Sequence, residues 1–181
     1  MTPKHWLKAL IPALLVCSAI ATTAAAQDRF DVRIATEIGR QIDRYPQFTI
    51  FDDVNGSVEE GVVTLAGKVT MPYKKSEIEK RAAAVEGVRR VVNNIGVLPV
   101  SPYDEELRLR IARAIYGNSA FWRYGASANP PIHIIVENGH VTLTGVVNSN
   151  VDRALARSLA TGFGELSVTN ALRTDAEMRS E

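Results

Sequence analysis

The chain has 181 residues, room for one medium domain or two small ones, and its 46% hydrophobic and 23% charged content is ordinary for a globular protein. With 21 bases against 20 acids the formal charge is +1, too near neutrality for strong, salt-sensitive binding to nucleic acid. Cys17 is the single cysteine, so no disulfide framework or thiol cluster can carry the fold or the chemistry.

In chain order, Lys4 and Lys8 precede an apolar run that reaches Ala24-Ala25-Ala26 without an acid. This reads as an export signal over residues 1–26, cleaved after Ala26. A retained anchor and lipidation at Cys17 are the alternatives, although Val16 is bulky where lipidation signals take a small residue. Removal of residues 1–26 leaves 19 bases and 20 acids, a balance of −1, and no cysteine.

The remainder is written twice. Ile34, Ile38 and Ile42 recur at helical spacing, with Asp31 ahead as an expected N-cap or first-turn acid. Val54, Gly56 and Val58, then Val63, Leu65 and Val69, alternate as two half-buried strands. Between and after them lie the glycines of Gly61-Val-Val-Thr-Leu-Ala-Gly67. Gly61 suits a tight hairpin that needs positive φ, and Gly67 a close backbone approach. A second helix with Ile78, Ala82 and Val85 on one face leads to a third strand, Val91-x-Asn93-x-Ile95.

Pro99 and Pro102 punctuate a linker over residues 99–103. The series then repeats: Asp104, then Leu107, Ile111 and Ile115; Ile132, Ile134 and Val136; and Gly139-His-Val-Thr-Leu-Thr-Gly145. A helix with Val151, Leu155 and Leu159 and a strand Val168-x-Asn170-x-Leu172 complete it. The helices are offset by 73 and the hairpins by 78, so the second copy holds five extra residues between helix and hairpin. The third strands are offset by 77, a slip that a bulge near Arg89-Arg90 explains.

The expected architecture is α+β: two tandem αββαβ units, each a three-stranded mixed sheet with two helices on one face. The units occupy residues 27–98 and 104–175, with a C-terminal tail over 176–181.

An amphipathic helix, the pattern Gly61–Gly67, and Gly87-Val88-Arg-Arg-Val91-Val-Asn93, echoed by Gly139–Gly145 and Val168-Thr-Asn170, resemble the BON domain of bacterial envelope proteins. The second copy departs from the pattern at Gly162-Phe-Gly-Glu-Leu166. The resemblance implies a non-enzymatic, periplasmic envelope-maintenance or stress module that associates with anionic phospholipid or envelope proteins, without catalytic residues, cofactor or metal. The alternative is a protein-binding or chaperone-like module that acts through exposed sheet edges.

Chemistry is otherwise sparse. His133 and His140 lack a ligand cluster, Asp52-Asp53 and Glu59-Glu60 read as loop charges, and no nucleophile elbow or phosphate loop is present. Phe121-Trp122-Arg123-Tyr124, inside the five-residue expansion, is the candidate lipid or partner contact. The same aromatics also suit burial between helix and sheet. Lys74-Lys75, Lys80-Arg81 and Arg89-Arg90 read either as a basic face or as a solvated helix surface with i,i+4 pairs.

Overall fold

Ile34, Ile38 and Ile42 are all buried on the C-terminal half of α1 (Cys17–Asp43), a continuous helix. The computed structural model describes residues 17–127 and 129–180, with side chains from Gln27 onward. Residues 1–16 of the expected leader lie outside the described residues. After α1 come β1 (Asp53–Glu59), β2 (Val62–Val69), α2 (Pro72–Ala83) and β3 (Arg90–Val97). β1 pairs antiparallel with β2, which pairs parallel with β3, giving the expected mixed sheet of three strands. Val63, Leu65, Val69, Ile78, Ala82 and Ile95 join the α1 stripe in one buried cluster.

The second unit repeats this order as α3 (Pro102–Tyr116), α4 (Trp122–Gly125), β4 (Ile132–Glu137), β5 (His140–Val147), α5 (Asn150–Leu159) and β6 (Ser167–Asn170). Its core holds Leu107, Ile111, Ile115, Ile132, Ile134, Val136, Val141 and Leu143, the counterparts of the first unit's stripe and strands. Two elements were not foreseen. The third strand breaks after Asn170 and resumes as β7 (Arg173–Thr174), also parallel to β5. The expected tail forms α6 (Asp175–Arg179), closed by a Thr174–Glu177 capping box and tied to α5 by Arg153–Glu177 at 2.9 Å.

Two sequence readings need correction. On α5 and at its C-cap the core positions are Ala156 and Ala160, equivalent to Ile78 and Ala82, while Leu155 and Leu159 flank them and Val151 is 74% exposed. The bulk given up at Ala156 is supplied in the same cluster by Phe121, from the five-residue expansion. No bulge interrupts the strands at Arg89-Arg90, since β2–β3 pairing runs unbroken from Val62–Arg90 to Val69–Val97. The missing residue falls in the helix-to-strand connection, where Arg89 N–H donates to Gly61 O and Leu166 N–H to Gly139 O, each at 2.8 Å.

Four devices hold each unit in shape. At the hairpins, Glu60 and Gly61 have φ of 48° and 74°, and Asn138 and Gly139 have 53° and 77°. Both central residues in the left-handed region define the turn that matches strand twist. Gly67 and Gly145 lie opposite Val54 and Ile132, and a Cβ there would collide with the carbonyl of Asp53 or Pro131. Asn93 and Asn170 each tie the third strand to the preceding helix, donating to the carbonyls of Lys75 and Arg153 at 3.1 and 2.7 Å.

The fourth device lies at the two aspartates, of which Asp104 does sit in the first turn of its helix. Neither caps its helix: α1 passes through Asp31, and Ser101 caps α3 by accepting from Asp104 N–H. Asp31 instead accepts the N–H groups of Glu60 and Gly61 at 2.8 and 3.0 Å, and Asp104 those of Asn138 and Gly139 at 2.9 and 2.8 Å. Each carboxylate thereby satisfies two donors of a turn that has no ladder partner for them.

Asp104→Ala should therefore destabilise the second unit by about 2–4 kcal/mol, because two turn N–H groups, that of Gly139 buried and that of Asn138 partly so, lose a charged acceptor. Chemical denaturation followed by circular dichroism measures it, and Asp31→Ala should act similarly in the first unit.

Candidate functional site

Asp52 is not a loop charge. It is fully buried, and its Oδ1 accepts from the N–H and hydroxyl of Thr70 at 2.7 and 2.9 Å. Its Oδ2 accepts from the N–H and hydroxyl of Thr49 and, at 2.6 Å, from Lys74 Nζ. Burial pushes the Asp52 carboxyl upward, but the bonds from Lys74, Thr70 and Thr49 outweigh it and hold the group below the usual carboxylate range. Every acceptor site is engaged and Lys74 is itself buried, so this pair is a structural anchor with no lone pair left for a substrate. Lys74 consequently drops out of the basic face.

The second unit solves the same problem with reversed polarity. Where Thr70 N–H meets Asp52, Asn148 N–H donates to the Tyr124 hydroxyl at 2.8 Å. Where Lys74 donates to Asp52, Asp152 stands in the lysine's place and accepts from Tyr124 at 2.9 Å. A neutral phenol between a donor and an acid replaces a buried ion pair.

That arrangement fixes the fate of Phe121-Trp122-Arg123-Tyr124. Phe121 is fully buried and Tyr124 nearly so, their ring centroids 5.6 Å apart. Neither side chain is available as a surface contact. Trp122 is 66% exposed and Arg123 is exposed beside it. The stretch divides into two anchors and two presented side chains.

A second apolar site on this unit was missed by sequence reasoning. Val100 is 97% exposed, Leu166 71% and Tyr103 50%, and Tyr103 and Leu166 converge over Gly139. The equivalent corner of the first unit carries Gln27, Phe30 and Arg89, with Arg89 Nε donating to Glu60 O at 2.6 Å. Between this corner and Trp122 runs α3, whose outer face exposes Leu109, Arg110 and Arg113. The signal was present in the sequence as the replacement of Gln27 and Arg89 by Val100 and Leu166, but it needs the helix and connection offsets of 73 and 77 to be read.

Elsewhere, the basic residues of α2 behave as a solvated face. Glu77 pairs with Arg81 at 3.5 Å, and Arg81 stacks over Tyr45 at 4.7 Å. His140 is exposed, with Nδ1 2.8 Å from the Ser167 hydroxyl. His133 packs its ring 5.7 Å from Phe48 across the junction of the units. Among the described residues no group of three or more His, Cys, Asp or Glu could hold a metal ion, and no helix is long and apolar enough to cross a membrane.

A cleft of about 870 Å³ lies at that junction, lined on one side by Phe48, Ile50 and Val54 and on the other by Pro130, Pro131 and His133. Beside it, Ile134 N–H donates to Ile50 O at 2.7 Å, and Lys68 pairs with Glu137 at 3.1 Å. Sequence reading could not find this cleft, because it belongs to neither repeat alone.

The family model described as "BON domain" matches residues 30–99 and 104–176. Among solved structures, CdsD, a structural protein of the type III secretion system of Chlamydia trachomatis, is 17% identical, with 80% of this chain and 94% of that chain covered and a TM-score of 0.28. A C-terminal domain of CdsD from the same organism is 15% identical over 74% of this chain and 94% of that chain, at a TM-score of 0.26. No curated protein matches the chain.

The two polar anchors should titrate differently. Asp52 has a depressed folded-state pKa, so its contribution is complete above the unfolded carboxylate value of about 3.9 and is lost as pH falls through the folded one. Melting between pH 7 and 3 should show the first unit weakening below about pH 4. Asp52→Asn should remove that acid limb and, by stranding Lys74, cost about 3–5 kcal/mol at neutral pH.

Proposed function

The chain belongs to the BON domain family through both of its halves, and on that premise we propose that it is a non-enzymatic module of the periplasm, engaged in envelope maintenance or stress response. In this reading it is exported by its N-terminal signal and settles on anionic phospholipid through its second unit. The observation that carries the reading is the asymmetry between two otherwise matched units. The second exposes Val100, Tyr103 and Leu166 at one end of α3 and Trp122 beyond the other, where the first has Gln27, a less exposed Phe30 and Arg89 at the matching corner and no expansion at all.

With α3 parallel to the membrane plane, the two apolar ends enter the headgroup boundary. Trp122 and Tyr103 are the residue types that partition there, with the ring in the apolar layer and the polar edge in water. Arg110, Arg113 and Arg123 then face lipid phosphates. Glu105 and Glu106 share the helix, so attraction is moderate and salt-sensitive. Because Phe121 and Tyr124 are locked in the core, Trp122 is presented by a rigid segment and needs little ordering on contact.

Sedimentation with vesicles tests this reading. The protein should pellet with phosphatidylglycerol-containing vesicles at low salt and not with phosphatidylcholine alone. Arg110→Gln with Arg113→Gln should weaken binding roughly 30-fold, at about 1 kcal/mol for each charge. Trp122→Ala and Leu166→Ser should each reduce pelleting while changing stability by less than about 0.5 kcal/mol. Tyr124→Phe should do the opposite, costing about 1–3 kcal/mol of stability through the stranded Asn148 N–H with little loss of vesicle binding. Absence of pelleting at low salt would refute the proposal.

A further inference from the structure

The two sheets differ at their first strands, β1 and β4, each of which forms an edge. A two-residue turn makes Glu59–Val62 and Glu137–His140 the hydrogen-bonded pairs next to each hairpin. By alternation, Val54, Gly56 and Val58 in β1, and Ile132, Ile134 and Val136 in β4, point their N–H and C=O groups away from the sheet.

In β4 most of those groups are taken. The Tyr116 hydroxyl donates to Ile132 O at 2.5 Å and accepts from Ile132 N–H at 3.2 Å. Ile134 N–H donates to Ile50 O, and Arg108 Nη2 donates to Val136 O, both at 2.7 Å. At the corresponding positions of α1, 73 residues earlier, the first unit has Asp43 for Tyr116 and Ala35 for Arg108. Among the described residues nothing bonds to the outward groups of Val54, Gly56 or Val58. The junction cleft of about 870 Å³ meets the start of this bare edge, where Asp53, Val54 and Asn55 line it.

We propose that the β1 edge and the adjoining cleft are a docking groove for an extended segment of another polypeptide, carrying basic side chains, which adds to the first unit's sheet as a fourth strand. Three outward residues offer up to six backbone bonds, the usual source of affinity in strand addition. Phe48, Ile50, Pro130 and Pro131 supply apolar walls for alternate side chains. The buried Nδ1 of His133 and hydroxyl of Thr144, a cross-strand pair on the far wall, have no hydrogen-bond partner among the described residues.

Charge selects the occupant. β1 carries Asp53 and Glu59 and no base, and Asp43 and Asp53 line the cleft and make no ion pair among the described residues, Lys68 opposite Asp53 being paired with Glu137 instead. Arg173, also on the lining, is already engaged. A second copy is a poor occupant: antiparallel pairing centred on Gly56 would set Asp53 of one chain opposite Glu59 of the other, and like charges directly opposite are destabilising. A strand bearing lysine or arginine at those positions meets opposite charges instead.

The test is amide hydrogen exchange by NMR on the full chain, with a blocked heptapeptide of alternating valine and threonine that has lysine at each end. Exchange at Val54, Gly56 and Val58 should slow at least tenfold, with no change at Ile132 and Ile134, and the same peptide with terminal glutamates should have no effect. Val58→Pro removes an outward N–H that the sheet does not use and should weaken binding about tenfold. Asp53→Lys with Glu59→Lys should invert the preference toward the glutamate peptide, a readout that a merely misfolded variant cannot give. Trp122→Ala should leave peptide binding unchanged, which separates this groove from the membrane surface. Unaltered exchange with both peptides overturns the proposal, as does protection that rises with protein concentration when no peptide is present.

Discussion

A buried carboxylate reaching from the first helix to the turn of the hairpin is the contact on which each unit depends. A two-residue turn leaves its own N–H groups without ladder partners, and inside a small domain these groups cannot be left dry. Asp31 and Asp104 supply the acceptor from 29 and 34 residues upstream, so one side chain fixes the helix against the sheet and the turn in its left-handed conformation. The remainder follows from that fixed point. With the helix placed, Ile34, Ile38 and Ile42, or Leu107, Ile111 and Ile115, must face Val63 and Leu65, or Val141 and Leu143. Each unit is a size at which hydrophobic burial is marginal, so a charged acceptor for two backbone donors is a large share of its specificity.

With the frame held by matched contacts, the units were free to diverge elsewhere, and they did so in complementary directions. The first keeps a buried ion pair, a charged corner at Glu60 and Arg89, and a bare strand edge. The second replaces the ion pair with Tyr124, exposes an apolar corner at Val100, Tyr103 and Leu166, and covers its edge with Tyr116 and Arg108. An exposed strand edge is an association hazard unless it is shielded or used. Shielding one and leaving the other beside a cleft divides the labour: the second unit suits a surface, the first an extended chain.

The sequence disclosed what repeats and hid what crosses. Alternation at Val63, Leu65 and Val69 and at their counterparts was legible because the period of two is local, and the Asn138-Gly139 turn because its backbone demand is confined to two residues. Asp31 and Asp104 were visible as acids at helix starts, but their true partners lie far along the chain and local capping rules pointed elsewhere. The α5 stripe misled because Leu155 and Leu159 are larger than Ala156 and Ala160, and size was mistaken for depth. Trp122 could be picked out with its three neighbours, yet only packing separates the two rings that anchor from the two side chains that are presented. The junction cleft had no sequence signal, since a cleft between units depends on how they meet.

That junction is also linked to the buried ion pair. Asp52 holds the backbone and hydroxyl of Thr49, and the next residue, Ile50, gives its carbonyl to Ile134 of the second unit's edge strand. Phe51, one residue further, packs against the second unit's core. The segment between Thr49 and Asp52 is therefore shaped by a carboxylate in one unit and used as a cover by the other. A full hydrophobic replacement of Asp52 and Lys74 could match the ion pair in stability, as buried pairs often allow, but it would release Thr49 and with it the carbonyl that closes β4. Burying a charge here is thus explained less by the stability of the first unit than by the need to hold one short segment in the single conformation that both units share.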